Sequence, residues 1–446
     1  MAIGVDTINS LLEYFREIES YHFMMNRRLF VKLSGTIGAA SILGPNAFCF
    51  STEKKGLYSK IKLVTEFSNG GGEVLLNKID PITIQVVPHN QNNGGWSKIW
   101  WHFQVEGVAP NENIVLNVEK GSGYVEQVFY SYDDENWALT NSGEIIELEG
   151  KEYIQIHHVV RGDKISFAYD LPYRMKELES LLLPQLQGMP RVRVFDYCKS
   201  KHGRLVKAIQ LKCTGKRSER KYGVWLQARA HSFEAGSSWV LHELTQWLIS
   251  NHPLAMELRK TTEITILPIV DVDAVEEGRT GKNQKPYDHN RGWSEEVSHW
   301  PEVNTTKSKL KKMSTENMLD LFIDFHGPGN KSHPYFIIAV DKNLKTDIQR
   351  DNRQKFFEVL GAKPFDDSSK NTQSMHQFFY SKREWKSKNH DSSNMWVGHN
   401  TTNNVINLTL EVNMGTPLST IDGYKVEAIT LGKAIAKYFN QGNHQK

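Results

Sequence analysis

The pattern of apolar and polar positions divides the chain into two parts. Between residues 60 and 170, short alternating segments such as 82–87 and 114–118 are separated by clusters of Gly, Asn and Pro. Several short strands at intervals of roughly 8–12 residues are typical of an all-β sandwich. From residue 172 onward, β-rich apolar runs alternate with stretches of helical periodicity, which indicates an α/β domain.

The predicted fold is therefore an all-β sandwich domain over 51–172, followed by an α/β domain over 173–446. The second domain is expected to contain a mixed, largely parallel sheet flanked by helices. Its strands are predicted at 191–197, 205–213, 222–229, 263–270, 319–325, 334–340 and 405–412. A connecting helix is predicted over 174–187, and further helices near 235–250, 342–360 and 424–439.

The composition excludes a disordered chain and a protein with several membrane spans. Hydrophobic residues make up 39% of the 446 residues and charged residues 24%, and the apolar runs are short. Because 54 Lys and Arg nearly balance 51 Asp and Glu, the charge gives no reason to expect a nucleic-acid partner. Three cysteines are too few for a disulfide scaffold or a Cys-rich metal site. A metal ion must therefore be held by His and carboxylate side chains.

Residues 25–50 carry a pattern of the kind found in export signals. Arg27 and Arg28 are followed by a modest apolar stretch that glycines interrupt. This pattern resembles a bacterial twin-arginine signal, with translation starting at Met24 or Met25. A short amphipathic helix with a basic start is the alternative. We therefore expect residues 1–50 to be an extension and signal, and the protein to be periplasmic without stable membrane insertion; without a signal it would be cytoplasmic.

The first candidate metal ligands follow the predicted strand 222–229. His231 and Glu234 are three residues apart in the turn before a helix, so they can offer one nitrogen and one oxygen to the same cation. A second His-x-x-Glu pair, His299 and Glu302, lies in a polar stretch that no strand precedes. Because α/β sheets bind ligands at the carboxyl ends of their strands, the first pair is favoured.

A third ligand and a base are expected at the ends of two other strands. His326 follows the apolar run 319–325; a histidine that only caps a strand is the alternative. Two imidazoles and one carboxylate leave a fourth zinc position open for water, as in catalytic sites. Glu411, inside the β-rich run 405–412, is the candidate base for that water, since a carboxylate there is costly unless it is paired or used.

The loop after strand 263–270 offers groups that bind anions. It contains Arg279 and the adjacent pair Asn290 and Arg291. Guanidinium groups match the geometry of a carboxylate or an oxyanion. For each arginine, a salt bridge that braces the loop is the alternative.

The order of these residues resembles that of the zinc metallocarboxypeptidases of the M14 type. The segments 201–206 and 324–327 resemble the family's hairpin and third-ligand strand. Residues 67–71 and 100–105 resemble the β-sandwich that precedes the catalytic domain in the cytosolic-carboxypeptidase branch. The resemblance covers about residues 60–440.

This resemblance implies a zinc-dependent hydrolase that removes C-terminal residues from peptides or proteins. It implies one zinc ion and an exopeptidase mechanism in which a carboxylate activates water. The implied zinc ligands are His231, Glu234 and His326, the general base is Glu411, the oxyanion stabiliser is Arg279, the carboxylate clamp is Asn290 with Arg291, and the candidate capping tyrosine is Tyr380.

The chain departs from the family at three places. Ser232-Phe233 replaces a common Pro-Gly pair, residues 271–274 replace Asn-Pro-Asp-Gly, and His289 replaces a leucine. These positions concern packing and loop shape more than the ligands, so we expect activity with an unusual specificity.

Two other functions stay open. A related zinc-dependent amidase or deacylase, acting on acyl-amino acids or cell-wall peptides, would share the metal site. A non-catalytic binding protein would use Trp96, Trp100 and Trp101 as a surface, although tryptophans in a sandwich usually belong to the core.

Overall fold

The first part of the chain forms two five-stranded sheets from its segments of alternating apolar and polar residues. In chain order the strands are β1 (Lys62–Val64), β2 (Glu73–Ile79), β3 (Ile82–Val87), β4 (His102–Glu106), β5 (Asn113–Glu119), β6 (Phe129–Ser131), β7 (Trp137–Leu139), β8 (Glu144–Leu148), β9 (Lys151–Val159) and β10 (Lys164–Ala168). One sheet has the order β1-β4-β10-β6-β7, and the other has the order β2-β3-β5-β9-β8. The computed structural model describes residues 61–91, 98–121, 123–216, 219–327, 335–365, 377–382 and 392–446.

The two sheets share one apolar core, which confirms the predicted sandwich. Along β3, Ile82, Ile84 and Val86 are fully buried and the residues between them are not, as expected for a strand with one face in the core. Trp100 and Trp101 are also buried in this core. They are therefore not a binding surface, and Trp96 lies outside the described residues. The domain boundary predicted at residue 172 lies after β10 and before the next strand, which starts at Val192. This boundary stays a prediction.

The second part forms a nine-stranded mixed sheet. Its strands are β11 (Val192–Lys199), β12 (Leu205–Leu211), β13 (Tyr222–Ala228), β14 (Thr262–Leu267), β15 (Leu321–His326), β16 (Tyr335–Ile338), β17 (Lys363–Pro364), β18 (Phe378–Ser381) and β19 (Ile406–Glu411). They are arranged in the order β11-β12-β14-β13-β15-β19-β16-β18-β17. The central strands β14, β13, β15 and β19 are parallel neighbours, so their carboxyl ends meet at one edge. The predicted α/β class is confirmed.

Helices cover both faces of this sheet. They are α1 (Met175–Glu177) and α2 (Leu183–Leu186), joined by a π turn over Leu178–Leu182, then α3 (Ala235–Ile249), α4 (Pro253–Thr261), α5 (Val272–Glu276), α6 (Pro301–Thr315), α7 (Asp347–Leu360), α8 (Ser393–Asn400) and α9 (Ile421–Asn440). Helix α9 packs against α3, α4 and α7. Helix α8 lies on β15 and β19, where Asn394 donates a hydrogen bond to Thr409 on the face that Glu411 shares.

Candidate metal centre

Three side chains meet where β13 and β15 end. His326 is the last residue of β15, His231 follows β13, and Glu234 directly precedes α3. Each offers one ligand atom, and these atoms all lie within 4.8 Å of one another in a buried position. The Glu234 carboxylate lies 2.8 Å from His231 Nδ1 and 2.9 Å from His326 Nδ1. The structure thus brings together the three ligands that the sequence predicts.

A second carboxylate holds the far nitrogen of each imidazole. Asp288 lies 3.3 Å from His231 Nε2, and Asp324 lies 3.1 Å from His326 Nε2. A carboxylate on one ring nitrogen fixes the orientation of the ring and leaves the other nitrogen for a metal. Neither aspartate was predicted from the sequence, although Asp324 stands two residues before His326 in an otherwise apolar strand.

The charges of this cluster suit a divalent cation. Burial alone would raise the pKa of Glu234, but the imidazoles of His231 and His326 hold it below its usual range. Burial alone would lower the pKa of His326, but Asp324 and Glu234 raise it well above its ordinary value. Two nitrogens and one oxygen surrounded by carboxylates are the donor set of a catalytic zinc site, so the residues present fit zinc.

Glu411 lies beside this cluster. Strand β19 runs parallel to β15, and Glu411 is paired in register with His326. Residues in register on parallel strands point to the same face, so both side chains lie at the same corner of the sheet. Burial and the charge of Glu234 raise the pKa of Glu411, while His326 opposes them.

The predicted carboxylate clamp reaches the cluster through Asn290. The Asn290 amide nitrogen lies 3.3 Å from His326 Nε2, and its oxygen accepts a hydrogen bond of 3.0 Å from the Ser393 backbone. The Ser393 hydroxyl also donates to Asp324. Arg291 is half-buried and donates a bond of 2.8 Å to the Asn290 carbonyl. Asn290 therefore lies between the start of α8 and the back of the His326 imidazole.

The side chain of Arg279 pairs with Glu277 and not with a residue of the metal-ligand cluster. Its guanidinium lies 2.5 Å from Glu277, and its carbonyl accepts a hydrogen bond from the Ser232 hydroxyl. The backbone of Arg279 is thus next to the ligand loop, whereas its side chain lines a cavity of about 580 Å³ together with Asp271, Asp273 and Trp300.

Glu277 belongs to an ion-pair network rather than to a second metal site. His202, Asp273 and Glu277 are close enough for a cation. Arg204, however, pairs with Asp273 at 2.8 Å and with Glu277 at 2.9 Å. Its guanidinium supplies the positive charge that these carboxylates need.

Tyr380 points away from the cluster. It is in register with Ile337 on β16, and Ile337 is in register with Leu410. Because successive residues of a strand face opposite sides, Tyr380 shares the face of Leu410 and not that of Glu411. Its ring stacks on Phe357 of α7 at 4.6 Å. Tyr380 therefore has no part in the site proposed below.

The fold and the cluster together define a class: an α/β protein with a buried candidate metal site at the carboxyl ends of parallel strands. The family model described as zinc carboxypeptidase, peptidase M14, matches residues 183–416, which is more than half of the chain. The chain belongs to this family, whose members use zinc.

Curated relatives agree with the family. The chain is 27% identical to cytosolic carboxypeptidase 2 of Mus musculus over 192 residues, covering 41% of this chain and 22% of the relative. It is 23% identical to cytosolic carboxypeptidase 1 of Mus musculus over 333 residues, covering 64% of this chain and 27% of the relative. The chain thus spans about a quarter of the length of these relatives.

Solved structures share the fold. A metallo-carboxypeptidase from Burkholderia cenocepacia superposes with a TM-score of 0.67 at 19% identity, covering 86% of this chain and 99% of that chain. A putative carboxypeptidase A from Shewanella denitrificans gives a TM-score of 0.66 at 22% identity, covering 84% and 99%. Both structures cover most of the described chain, the sandwich included.

The predicted export is wrong. The curated relatives are named cytosolic carboxypeptidases, in line with the cytoplasmic alternative rather than with a periplasmic protein. The twin-arginine pattern at 25–50 lies outside the described residues. Among the described residues, no helix is both long enough and apolar enough to cross a membrane.

Proposed function

We propose that the protein is a zinc-dependent carboxypeptidase that hydrolyses the last peptide bond of peptides or proteins with a free C-terminus. The observation that carries this proposal is the convergence of His231, Glu234 and His326 on one point, with Glu411 in register beside His326. Membership of the zinc carboxypeptidase family supports it.

The metal would be held by His231 Nδ1, His326 Nδ1 and the Glu234 carboxylate. When bound, zinc supplies the Lewis acidity that activates water and polarises a carbonyl. Asp288 and Asp324 keep both imidazoles in the tautomer with a proton on Nε2, so that Nδ1 is free to coordinate.

Glu411 is the base that this arrangement provides. It takes a proton from the attacking water and returns that proton to the nitrogen of the leaving amino acid, so the carboxylate is regenerated in each cycle. Its raised pKa favours the first of these steps, since a general base whose pKa lies closer to the operating pH takes up the proton of water more readily.

Arg291 is the group that would select a terminal carboxylate. Its half-buried guanidinium donates a hydrogen bond to the Asn290 backbone carbonyl, and guanidinium pairs with carboxylate in a bidentate manner. Asn290 would support this contact from its fixed position against Ser393. The clamp limits cleavage to the end of a chain.

The test compares wild type with Glu411→Gln on an N-blocked peptide with either a free or an amidated C-terminus. We expect cleavage of the free peptide only, and a loss of about 10²–10⁴-fold in kcat for Glu411→Gln, the contribution of a general base. Metal analysis should find equal zinc in both proteins. The matched control is Glu316→Gln, at an exposed glutamate after α6.

Two results would contradict the proposal. Cleavage of the amidated peptide would indicate the amidase or deacylase alternative. Full activity of a zinc-loaded Glu411→Gln protein would remove the base from the mechanism.

A further inference from the structure

Lys282 emerges from a backbone segment that is held on both sides against the metal centre. Gly281 packs on the ligand loop with a positive φ of +74°, and a Cβ there would lie 2.5 Å from the Ser232 nitrogen. The Gly281 N–H donates to Gln91 at 3.1 Å. On the other side, the Asn283 N–H donates to Asp288 at 3.0 Å, and Asp288 holds the imidazole of His231.

The charge of Lys282 acts on two carboxylates of the site. Burial is the largest influence on the pKa of Glu411 and of Asp288 and raises both. His326 and, less strongly, Lys282 lower the pKa of Glu411, while His231, Arg291 and, least strongly, Lys282 lower that of Asp288. Glu411 and Asp288 come from different elements, a strand end and a loop. The backbone of Lys282 lies between the Ser232 contact of Gly281 and the Asp288 contact of Asn283, so its side chain starts beside the ligand loop.

The ammonium group of Lys282 is not engaged by the part of the chain that the structure describes. The side chain is half-buried, and it makes no hydrogen bond or ion pair of 4.0 Å or less with any residue that the structure describes. Arg279, in contrast, is neutralised by Glu277 at 2.5 Å. Of these two cations of one loop, Lys282 is therefore the one without a carboxylate partner among the described residues.

We propose that Lys282, rather than Arg279, is the cation that stabilises the oxyanion formed on the scissile carbonyl. This inference rests on the proposed carboxypeptidase function. As water adds to the carbonyl carbon, negative charge develops on the carbonyl oxygen, and an N–H donor aimed at that oxygen binds the transition state more tightly than the substrate. An ammonium offers three donors and a compact charge for this purpose.

The experiment uses the zinc-loaded full chain and the variants Lys282→Gln, Lys282→Arg and Arg279→Gln. The matched control is Lys285→Gln, at an exposed lysine of the same loop. The first readout is kcat and KM on an N-blocked peptide with a free C-terminus. The second is the Kd of a phosphonate peptide, whose anionic oxygens stand for the tetrahedral oxyanion, and the third is the zinc content.

We expect Lys282→Gln to lower kcat by about 10²–10³-fold, the effect of removing one oxyanion donor, with KM changed less than threefold. The same variant should weaken phosphonate binding by a similar factor and keep its zinc. Lys282→Arg should recover part of both losses because it keeps the charge. Arg279→Gln and Lys285→Gln should stay within about threefold of wild type.

The outcomes separate this inference from the proposed function. A loss of kcat in Arg279→Gln with Lys282→Gln unaffected would overturn it in favour of Arg279. A rise in KM alone for Lys282→Gln would overturn it by placing the lysine on the terminal carboxylate, and loss of zinc would make Lys282 a structural residue. A zinc-loaded wild type that cleaves no free peptide would overturn the proposed function, and this inference with it.

Discussion

His289 is a buried cation between two buried carboxylates, and replacing it with leucine should destabilise the protein. Its ring nitrogens lie 3.4 Å from Asp271 and 3.5 Å from Glu302, and the ring stacks on Trp300 at 4.2 Å. Burial alone would lower the pKa of His289, yet Asp271 and Glu302 raise it to about 10. The imidazolium is therefore charged in the folded protein at neutral pH.

The size of the effect follows from that pKa. A rise from 6.5 to about 10 corresponds to about 5 kcal/mol of preference for the charged form in the folded state. In His289→Leu the two carboxylates lose their cation, which costs about 3–5 kcal/mol when a buried pair is broken. Asp271 keeps its bonds from Gln284 and the Ala274 backbone, so we expect a loss near 3 kcal/mol.

The pH dependence has a definite sign. The folded-state pKa of His289 is above the unfolded value, so its contribution is complete below pH 6.5 and is lost as the pH rises through about 10. The difference between wild type and His289→Leu should therefore be larger at pH 6 than at pH 8, and small at pH 10. Urea unfolding of the zinc-loaded proteins at these three pH values measures it.

Two further variants complete this test. His299→Leu changes an exposed histidine of the same segment and should alter the free energy of unfolding by less than about 0.5 kcal/mol. His289→Leu combined with Glu302→Leu should recover part of the loss, because it removes one of the two unpaired carboxylates. A loss below 1 kcal/mol that is equal at pH 6 and pH 10 would refute the buried ion triad.

Two other predictions concern buried groups elsewhere. Glu427 in α9 is fully buried, and burial raises its pKa well above the usual value, against the effect of the Asn413 backbone. Glu427→Gln should therefore raise the free energy of unfolding at pH 7 by up to about 3 kcal/mol and leave it unchanged at pH 4. The control Glu257→Gln should change it at neither pH. Phe233 lies in the sandwich core, so Phe233→Ala should cost about 3–5 kcal/mol in thermal or urea unfolding and increase zinc loss to a chelator, whereas Leu75→Ala, at a side chain that is 55% exposed, should do neither. Equal stability of Glu427→Gln and wild type at pH 7, or zinc retention unchanged in Phe233→Ala, would contradict these expectations.

The sequence was sufficient to predict the position of those strands and helices whose apolar pattern is regular. Strands β13, β15 and β19 lie where the apolar runs predict them, because strands buried on both faces have near-continuous apolar sequences. Helix α6 was missed since polar residues occupy much of its buried side: Thr306 bonds to Tyr197, and Glu302 faces His289. Periodicity of apolar residues cannot reveal a helix of this kind.

The sequence predicted the candidate ligands, the base Glu411 and the clamp of Asn290 and Arg291, but not the residues that support them. His231, Glu234 and His326 stand at strand ends, where order along the chain is enough to suggest that they meet. Whether Tyr380 faces the site depended on the register of its strand, because a shift of one residue moves a side chain to the other face of a sheet. The pairing of Arg279 with Glu277 and the position of Lys282 depended on loop geometry that no local pattern encodes.

The sandwich is part of the wall of the metal centre rather than an attached module. Its Asn69 donates two hydrogen bonds of 2.9 Å, from its backbone and its side chain, to the carbonyls of Glu276 and Val275. Thr280 donates a bond of 2.9 Å to the His89 carbonyl, and a Cβ at Gly278 would lie 1.7 Å from the Gly70 carbonyl oxygen.

These contacts anchor the segment 275–281, from which Lys282 follows directly. Phe233, between the candidate ligands His231 and Glu234, and Met414, three residues after Glu411, are both buried in the sandwich core. Separating the chain at residue 172 would expose these side chains and leave the backbone groups of that segment unpaired, which is costly for groups that were buried. The sandwich therefore fixes the positions of the ligand loop and of the cation-bearing loop at the same time.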